Sequence, residues 1–360
     1  MKRIVLSICL VAIAGACMAS PMPNGDKSGS AQEEPAATPF DQADARVAVE
    51  ELAAKLEENF IFPDAAKAYA VMLRGNLAAG VYDDFPDAES FAEKVTSDLQ
   101  AVHADGHLRV RTRPVQEAGP KPTPTNVEER QGLVSSGWLA PGIAYVRFDG
   151  FPGNDVTLDA TRAFVAAYGN AKILIIDARN NHGGGTDEMD VLFPAIFAEP
   201  TELVTMEMRE AVAKANSDGS ASPTMRRTEA PEGLRRWVHH VEAGRPALPI
   251  ANAKVYLLIS DTTFSAGEHL SLSLKRTHRA TLVGEATGGG AHFGFGAPLG
   301  NGYRAFIPFG RTFDPDTGES WEGTGVAPDI AVPADEALDE VLRREGINIS
   351  AADALAALDD

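Results

Sequence analysis

Three short runs, KILIIDAR (172–179), KVYLLIS (254–260) and RATLVGE (279–285), are rich in apolar residues at successive positions rather than at every second one. A strand with one wet face alternates apolar and polar residues, so runs of this kind belong to strands covered on both faces. Between and around them lie stretches with helical spacing: TLDATRAFVAAYG (157–169), EMDVLFPAIFA (188–198) and AGEHLSLSLKRT (266–277). Strands and helices in this succession predict an α/β fold with helices on both faces of the sheets. LRVRT (108–112), IAYVRFDGF (143–151) and YRAFIP (303–308) read as further strands. Residues 206–250 carry scattered polar residues and several prolines, and are read as a helical excursion near the site. With 360 residues, 44% of them hydrophobic, the chain can bury a sizeable core.

The N-terminal part is organised differently. Residues 1–19, MKRIVLSICLVAIAGACMA, join a Lys2-Arg3 start to an apolar stretch from Ile4 to Ala14 and then to small residues, the anatomy of an export signal. Two processing outcomes stay open: lipidation of Cys17 in AGAC, or cleavage before Ser20. Either way the expected location is outside the cytoplasm, periplasmic or in the cell envelope, with membrane attachment through a lipidated Cys17 in the first case. Residues 20–40 are rich in Pro, Gly, Ser and Ala without apolar periodicity and read as a flexible linker. Spacings such as Val47, Leu52, Leu56 and Phe91, Val95, Leu99 predict a small helical cap over 41–103, with Phe62-Pro63-Asp64 opening one helix. The core is expected over 104–335 and a helical tail over 336–360.

Both cysteines, Cys9 and Cys17, fall in the leader, so the mature body has no pair for an internal disulfide. Charge narrows the partners. The 32 basic and 51 acidic residues give a net −19, which argues against nucleic acid. There is no H-E-x-x-H and no cysteine cluster, so neither metal nor cofactor is expected.

Three local features could carry chemistry. In ISDTTFSAGEHLSLSL (259–274), Ser265 stands where an apolar strand hands over to a helix, which presents a hydroxyl at a sheet edge and a backbone N–H at a helix N-terminus. That suits a nucleophile; it equally suits an N-cap, with Glu268 completing a capping box. The G-x-S-x-G elbow is absent. A serine needs a base. His107 follows an Asp-Gly turn directly before a strand, and His182 and His292 sit among glycines. His103, His239, His240, His269 and His278 read as structural. Finally, IIDARNNHGGG (175–185) ends a strand in Asp177 and Arg179, a bracing pair, and then offers three glycines able to bare their amides as an oxyanion nest. It lacks the G-K-[ST] of a phosphate loop.

DGHLRV, IAYVRFDGF, IIDARNNHGGG, TTFSAGEHL, RATLVGEATGGGAH and WEGTGVAPDI, in that order, resemble the blocks of the tricorn-core and carboxy-terminal-processing serine peptidases. Their greatest likeness is to the branch holding the interphotoreceptor retinoid-binding protein modules. The resemblance covers about residues 41–335 and implies a crotonase-like α/β core. It implies Ser265 as nucleophile, His107 as general base, Glu322 as the glutamate that orients the site, and the backbone of Gly183 and Ala266 as the oxyanion hole. One departure bears on mechanism. Processing members use a lysine from a glycine-rich loop after the serine, but here that loop reads GEATGGGAH, with Gly290 at 25 residues past Ser265, and Lys275 falls too early, on a helix. The chain between RVRT and IAYVRF is also too short for a separate PDZ domain. The resemblance therefore implies an exported serine peptidase acting on peptides or unfolded protein through Ser, His and Glu. The alternatives are a non-catalytic module of the same fold that binds a hydrophobic ligand, and a hydrolase of a non-peptide ester.

Overall fold

The structure, a computed structural model, describes residues 38–112, 132–215, 222–242 and 247–358. The leader with Cys17, and all but the last three residues of the linker, lie outside the described residues. Three helices come first: α1 (Gln42–Asn59), α2 (Pro63–Ala78) and α3 (Ala88–Val102). Asp41 accepts from the Asp44 N–H at 2.9 Å to cap α1, Asp87 accepts from the Ser90 N–H at 2.7 Å to cap α3, and Pro63 opens α2. Each such side-chain cap stabilises its helix by about 1 kcal/mol.

The rest is built on two six-stranded sheets. The first contains β2 (Leu133–Ala140), β3 (Ile143–Phe148), β4 (Ile173–Asp177), β8 (Lys254–Ile259), β9 (Thr281–Gly284) and β12 (Ile330–Ala331), in the order β12-β9-β8-β4-β3-β2. All its neighbours are parallel except the β2/β3 hairpin. The apolar runs lie here. Along β3 and β4, Val146, Leu174 and Ile176 point into one core, with α4 (Asp155–Tyr168), α5 (Asp187–Ile196) and α7 (Ala266–Arg276). Tyr145 and Ile175 point to the other face, under α8 (Ala337–Arg344) and α9 (Ala351–Ala356).

The second sheet is antiparallel and contains β1 (Val110–Thr112), β5 (Thr201–Arg209), β6 (Met225–Thr228), β7 (Leu234–Val241), β10 (His292–Pro298) and β11 (Tyr303–Phe313). One of its faces carries Val110, Ala305 and Ile307 into a core shared with α1, α2 and α3, so the N-terminal helices and this sheet bury each other. Residues 206–250 are therefore not a helical excursion. Apart from the short α6 (Glu210–Ala215), the described part of that stretch is mainly strand. The pattern was disguised because Glu207 points inward, fully buried, where Arg236 of β7 and Arg311 of β11 bond its carboxylate from both sides. A buried charge needs such pairing, and in the sequence it reads as surface.

Two more strands had no visible signal. β2 has its apolar residues interrupted by Ser135, Ser136 and Gly137 and leaves Val134 and Trp138 exposed, and β10 is broken by glycines that its packing requires. A Cβ on Gly294 would stand 2.1 Å from the Ile307 carbonyl oxygen, at a bulge in the β10/β11 ladder. The site forms where β3, β4 and β8 end side by side, the carboxyl edge at which open parallel sheets bind ligands.

Candidate active site

β8 runs out at Ile259, and hydroxyls tie the turn that follows to the end of β4. Ser260 Oγ donates to the Arg179 carbonyl at 2.5 Å, and Thr263 Oγ1 donates to that of Ala178 at 2.8 Å. The chain then reaches Ser265 with φ 56° and ψ −117°, immediately before α7. An ordinary N-cap residue lies in the β region. A non-glycine residue at positive φ is strained by about 1–3 kcal/mol, and such strain clusters at functional sites. Backbone and carboxylate hold the strained turn: the Ser265 N–H donates to Glu268 Oε2 at 2.8 Å, and the Glu268 N–H donates to the Ser265 carbonyl at 2.9 Å. The strand-to-helix elbow is thus present although the G-x-S-x-G sequence is not.

Glu268 does more than cap. Fully buried, it also takes Thr287 Oγ1 and the Gly289 N–H on Oε1, at 2.6 and 2.7 Å, and the Gly290 N–H on Oε2 at 2.8 Å. Burial pushes its pKa up against the pull of those donors. One carboxylate thereby fixes the serine turn to the 287–290 loop, a role that the capping-box pattern alone does not reveal.

The glycine loop after β4 closes on the serine from the other side. A Cβ on Gly183, whose φ is 95°, would meet Ser265 Cβ at 2.7 Å and the Ala266 nitrogen at 3.1 Å, so only glycine permits this approach. The Gly183 N–H donates to Asn181 Oδ1 at 2.9 Å. It is therefore engaged, whereas the resemblance would have it bared toward an oxyanion. The next residue, Gly184, lines the cavities that open at Ser265. Ala266 is the first residue of α7, where N–H groups have no intrahelical acceptor and the helix dipole favours negative charge. Behind the loop, Asp177 pairs with Arg179 at 2.7 Å and accepts from the Tyr145 hydroxyl at 2.8 Å, a bracing role.

His107 is held by the Asp-Gly turn before it. Asp105 Oδ1 accepts the N–H groups of His107 and Leu108 at 2.9 and 3.0 Å, and its Oδ2 pairs with His292 Nδ1 at 2.7 Å. Burial opposes ionisation of Asp105, but the His292 partner and the amides prevail and lower its pKa. The His107 ring lies 4.6 Å from that of Phe264 and 5.1 Å from that of Phe306, centroid to centroid, and its Nδ1 is covered without a hydrogen-bond partner. Burial, opposed by Asp105 and reinforced by His292 and Arg109, brings its pKa down to about 4.

Glu322 acts on backbone. Its Oε1 accepts the Gly106 N–H at 2.6 Å, and its Oε2 accepts those of Ala291 and His292 at 2.6 and 3.2 Å. It positions His107 through the preceding amide and not through the ring. Asp105, His292 and Glu322 present ligand-type atoms within 4.8 Å of one another, but those atoms are already hydrogen-bonded to each other and to amides. At the place of the absent lysine, a Cβ on Gly290 would lie 2.3 Å from Phe264 Cζ and 2.7 Å from His107 Cε1. Phenylalanine and histidine fill the space that a side chain there would need. Lys275 Nζ caps the Ala327 carbonyl at 2.5 Å and lines neither cavity at Ser265.

Ser265 opens onto two cavities. The larger, about 1100 Å³, contains His107, His182, Arg109 and Asp261. The smaller, about 410 Å³, is walled by Met206, Met208, Met225, Trp237 and Phe309, with Ala266, His269 and His292. Of the histidines read as structural, His239 and His269 are buried, and His269 also lines this second cavity. Its place was not visible in the sequence, because the facing wall comes from β6 and β7, which were not recognised as strands.

The model of peptidase family S41 matches residues 142–332, and that of the N-terminal domain of this peptidase in eukaryotic interphotoreceptor retinoid-binding protein matches residues 42–137. Among solved structures, the chain is similar to a candidate peptidase of Parabacteroides merdae, with 18% identity, 87% of this chain and 96% of that one covered, and a TM-score of 0.55. It is similar to a lipoprotein of Streptococcus agalactiae with 13% identity, coverage of 85% and 97%, and a TM-score of 0.50. Against mature CPAF complexed with lactacystin the identity is 17% and the TM-score 0.45. That match covers 57% of this chain and 51% of that one, so it spans about half the length of that relative. At these identities the likeness to solved structures is one of fold.

Proposed function

The chain belongs to peptidase family S41, and from that membership we propose that it is an exported serine peptidase that cleaves peptides or unfolded protein, with Ser265 as nucleophile and His107 as general base. Ser265 Oγ attacks the scissile carbonyl carbon while the His107 imidazole takes the hydroxyl proton. The imidazolium then gives that proton to the leaving amine as the C–N bond breaks, and water hydrolyses the acyl-serine by the same route. The oxyanion is received by the Ala266 N–H at the positive end of α7, with the Gly183 backbone close to it. Because the Gly183 N–H is engaged by Asn181, a second donor requires either that bond to be shared or the neighbouring Gly184 amide. Glu322 and Asp105 are positioning residues that hold the backbone on both sides of His107.

The observation that carries this reading is the positive φ of Ser265, kept at the mouth of two cavities with a glycine backbone pressed against its Cβ. Export rests on the leader sequence, and attachment through a lipidated Cys17 belongs to the same proposal. The apolar wall of the smaller cavity favours the second reading, a module that binds a hydrophobic ligand without turnover.

Replacing Ser265 with Ala separates the two. It is expected to reduce peptide turnover by roughly 10⁴-fold or more with no fall in melting temperature. Turnover at the wild-type level in a folded Ser265→Ala protein removes the nucleophile assignment.

A further inference from the structure

Beside the apolar wall of the smaller cavity lies a chain of polar groups, its two histidines buried, that the hydrolytic steps do not use. Asp190 Oδ1 is 3.1 Å from His239 Nε2, and His239 Nδ1 is 2.7 Å from His269 Nε2. His239 is fully buried and His269 is 4% exposed. A second oxygen of Asp190 accepts from Ser222 Oγ at 3.0 Å. The polarity of this chain follows from what each atom can do. A carboxylate only accepts, so His239 donates through Nε2, and with a neutral ring it accepts through Nδ1. His269 must then donate through Nε2, which leaves its Nδ1 as an acceptor. Among the described residues no group bonds to that atom. Burial, together with the neighbouring His239, holds the pKa of His269 well below its ordinary value, so the neutral tautomer persists. His269 stands one helical turn beyond Ser265 on α7 and lines the cavity into which Ser265 opens.

From this geometry we infer that the smaller cavity receives the substrate side chain preceding the scissile bond, and that the Asp190–His239–His269 chain selects one with an aromatic body and a hydrogen-bond donor at its tip, tyrosine above phenylalanine. The inference rests on the peptidase reading and names the side chain that reading leaves open. The walls supply the body of the site. Met206, Met208 and Met225 are adaptable thioethers that favour aromatic edges, and Trp237 and Phe309 add ring surface. The larger cavity sets Arg109, Arg111, Arg304 and Asp261 beside Phe264, Phe293 and Phe306, so it is the more charged of the two and fits peptide backbone and outer side chains better. A phenylalanine in the smaller cavity leaves the His269 acceptor dry and unpaired, and tyrosine satisfies it.

The test is kcat/KM for one peptide series that differs only at that residue, with Tyr, Phe, Leu, Asp and Lys, measured on the mature full chain and on His269→Leu. Wild type is expected to prefer Tyr over Phe by about tenfold, with Asp and Lys poorest. In His269→Leu the Tyr/Phe ratio is expected to fall to one or below, whatever the absolute rate. Fluorophosphonate labelling of Ser265 in the variant checks that the serine turn is intact, and if it is not, the wild-type ratio decides alone. Cleavage with a wild-type Tyr/Phe ratio at or below one, or a ratio unchanged in a labelled His269→Leu protein, overturns the inference and leaves the peptidase reading standing. Absence of cleavage of every peptide overturns the peptidase reading, and the inference with it.

Discussion

Ser265 holds a backbone conformation that costs a non-glycine residue about 1–3 kcal/mol, and its neighbours account for how it is kept. Glu268 takes its N–H, Gly183 stacks beneath its Cβ, and the turn before it is tied to β4 by Ser260 and Thr263. His107 is the general base of the proposed mechanism, and that role gives a prediction with a definite sign. A general base works when neutral, that is, above its pKa. In a free histidine that boundary is about 6.5, but burial brings His107 down to about 4. The acid limb of the kcat/KM profile is therefore expected well below pH 6.5, with a plateau through neutrality. A limb at 6.5 or above means that a different group, or a more exposed His107, sets the rate. Gly290 explains why no lysine shares the role of base, since any side chain there would run into Phe264 and the His107 ring.

At the scale of elements, the site is assembled by loops from β3, β4 and β8 and by the 287–290 loop. Their junction is Glu268, whose two oxygens receive four donors. Glu268→Gln turns one acceptor into a donor facing N–H groups. It is expected to lower unfolding stability by roughly 3 kcal/mol, read from the denaturant midpoint, and to slow turnover by displacing Ser265. An unchanged midpoint would show that the loop is held by other means. The same elements show what a sequence displays. β4 and β8 were legible because they are buried on both faces and apolar apart from Asp177 and Lys254 at their ends. Ser265, His107 and the glycine loop were legible because blocks of sequence surround them. β5 and β7 were not, since Glu207, Arg236 and Arg311 form a charge cluster that only the three-strand register brings together. The Asp190–His239–His269 chain stayed hidden for the same reason, its members lying on α5, β7 and α7. The glycines of β10 read as loop, yet they make room for β11 and Phe306. The engagement of the Gly183 amide by Asn181 is likewise a matter of geometry that no motif encodes.

At the scale of the whole molecule, the chain carries 51 acidic against 32 basic residues, and no described helix is long and apolar enough to cross a membrane. If processing goes through AGAC, the proposed attachment is through Cys17 and its lipid. Cys17→Ser is expected to move the protein from the membrane fraction to the soluble fraction. A wild-type protein that is already soluble and begins at Ser20 means ordinary signal cleavage. The parallel sheet delivers Ser265, and the antiparallel sheet with its N-terminal helices delivers His107. The most direct measurement is therefore covalent: treat the intact wild-type protein with a fluorophosphonate probe and identify the modified residue by mass spectrometry. The account predicts a single phosphonylated residue, Ser265, with labelling abolished in Ser265→Ala and strongly slowed in His107→Ala. A label on another residue, or none at all in a preparation that hydrolyses peptides, contradicts it.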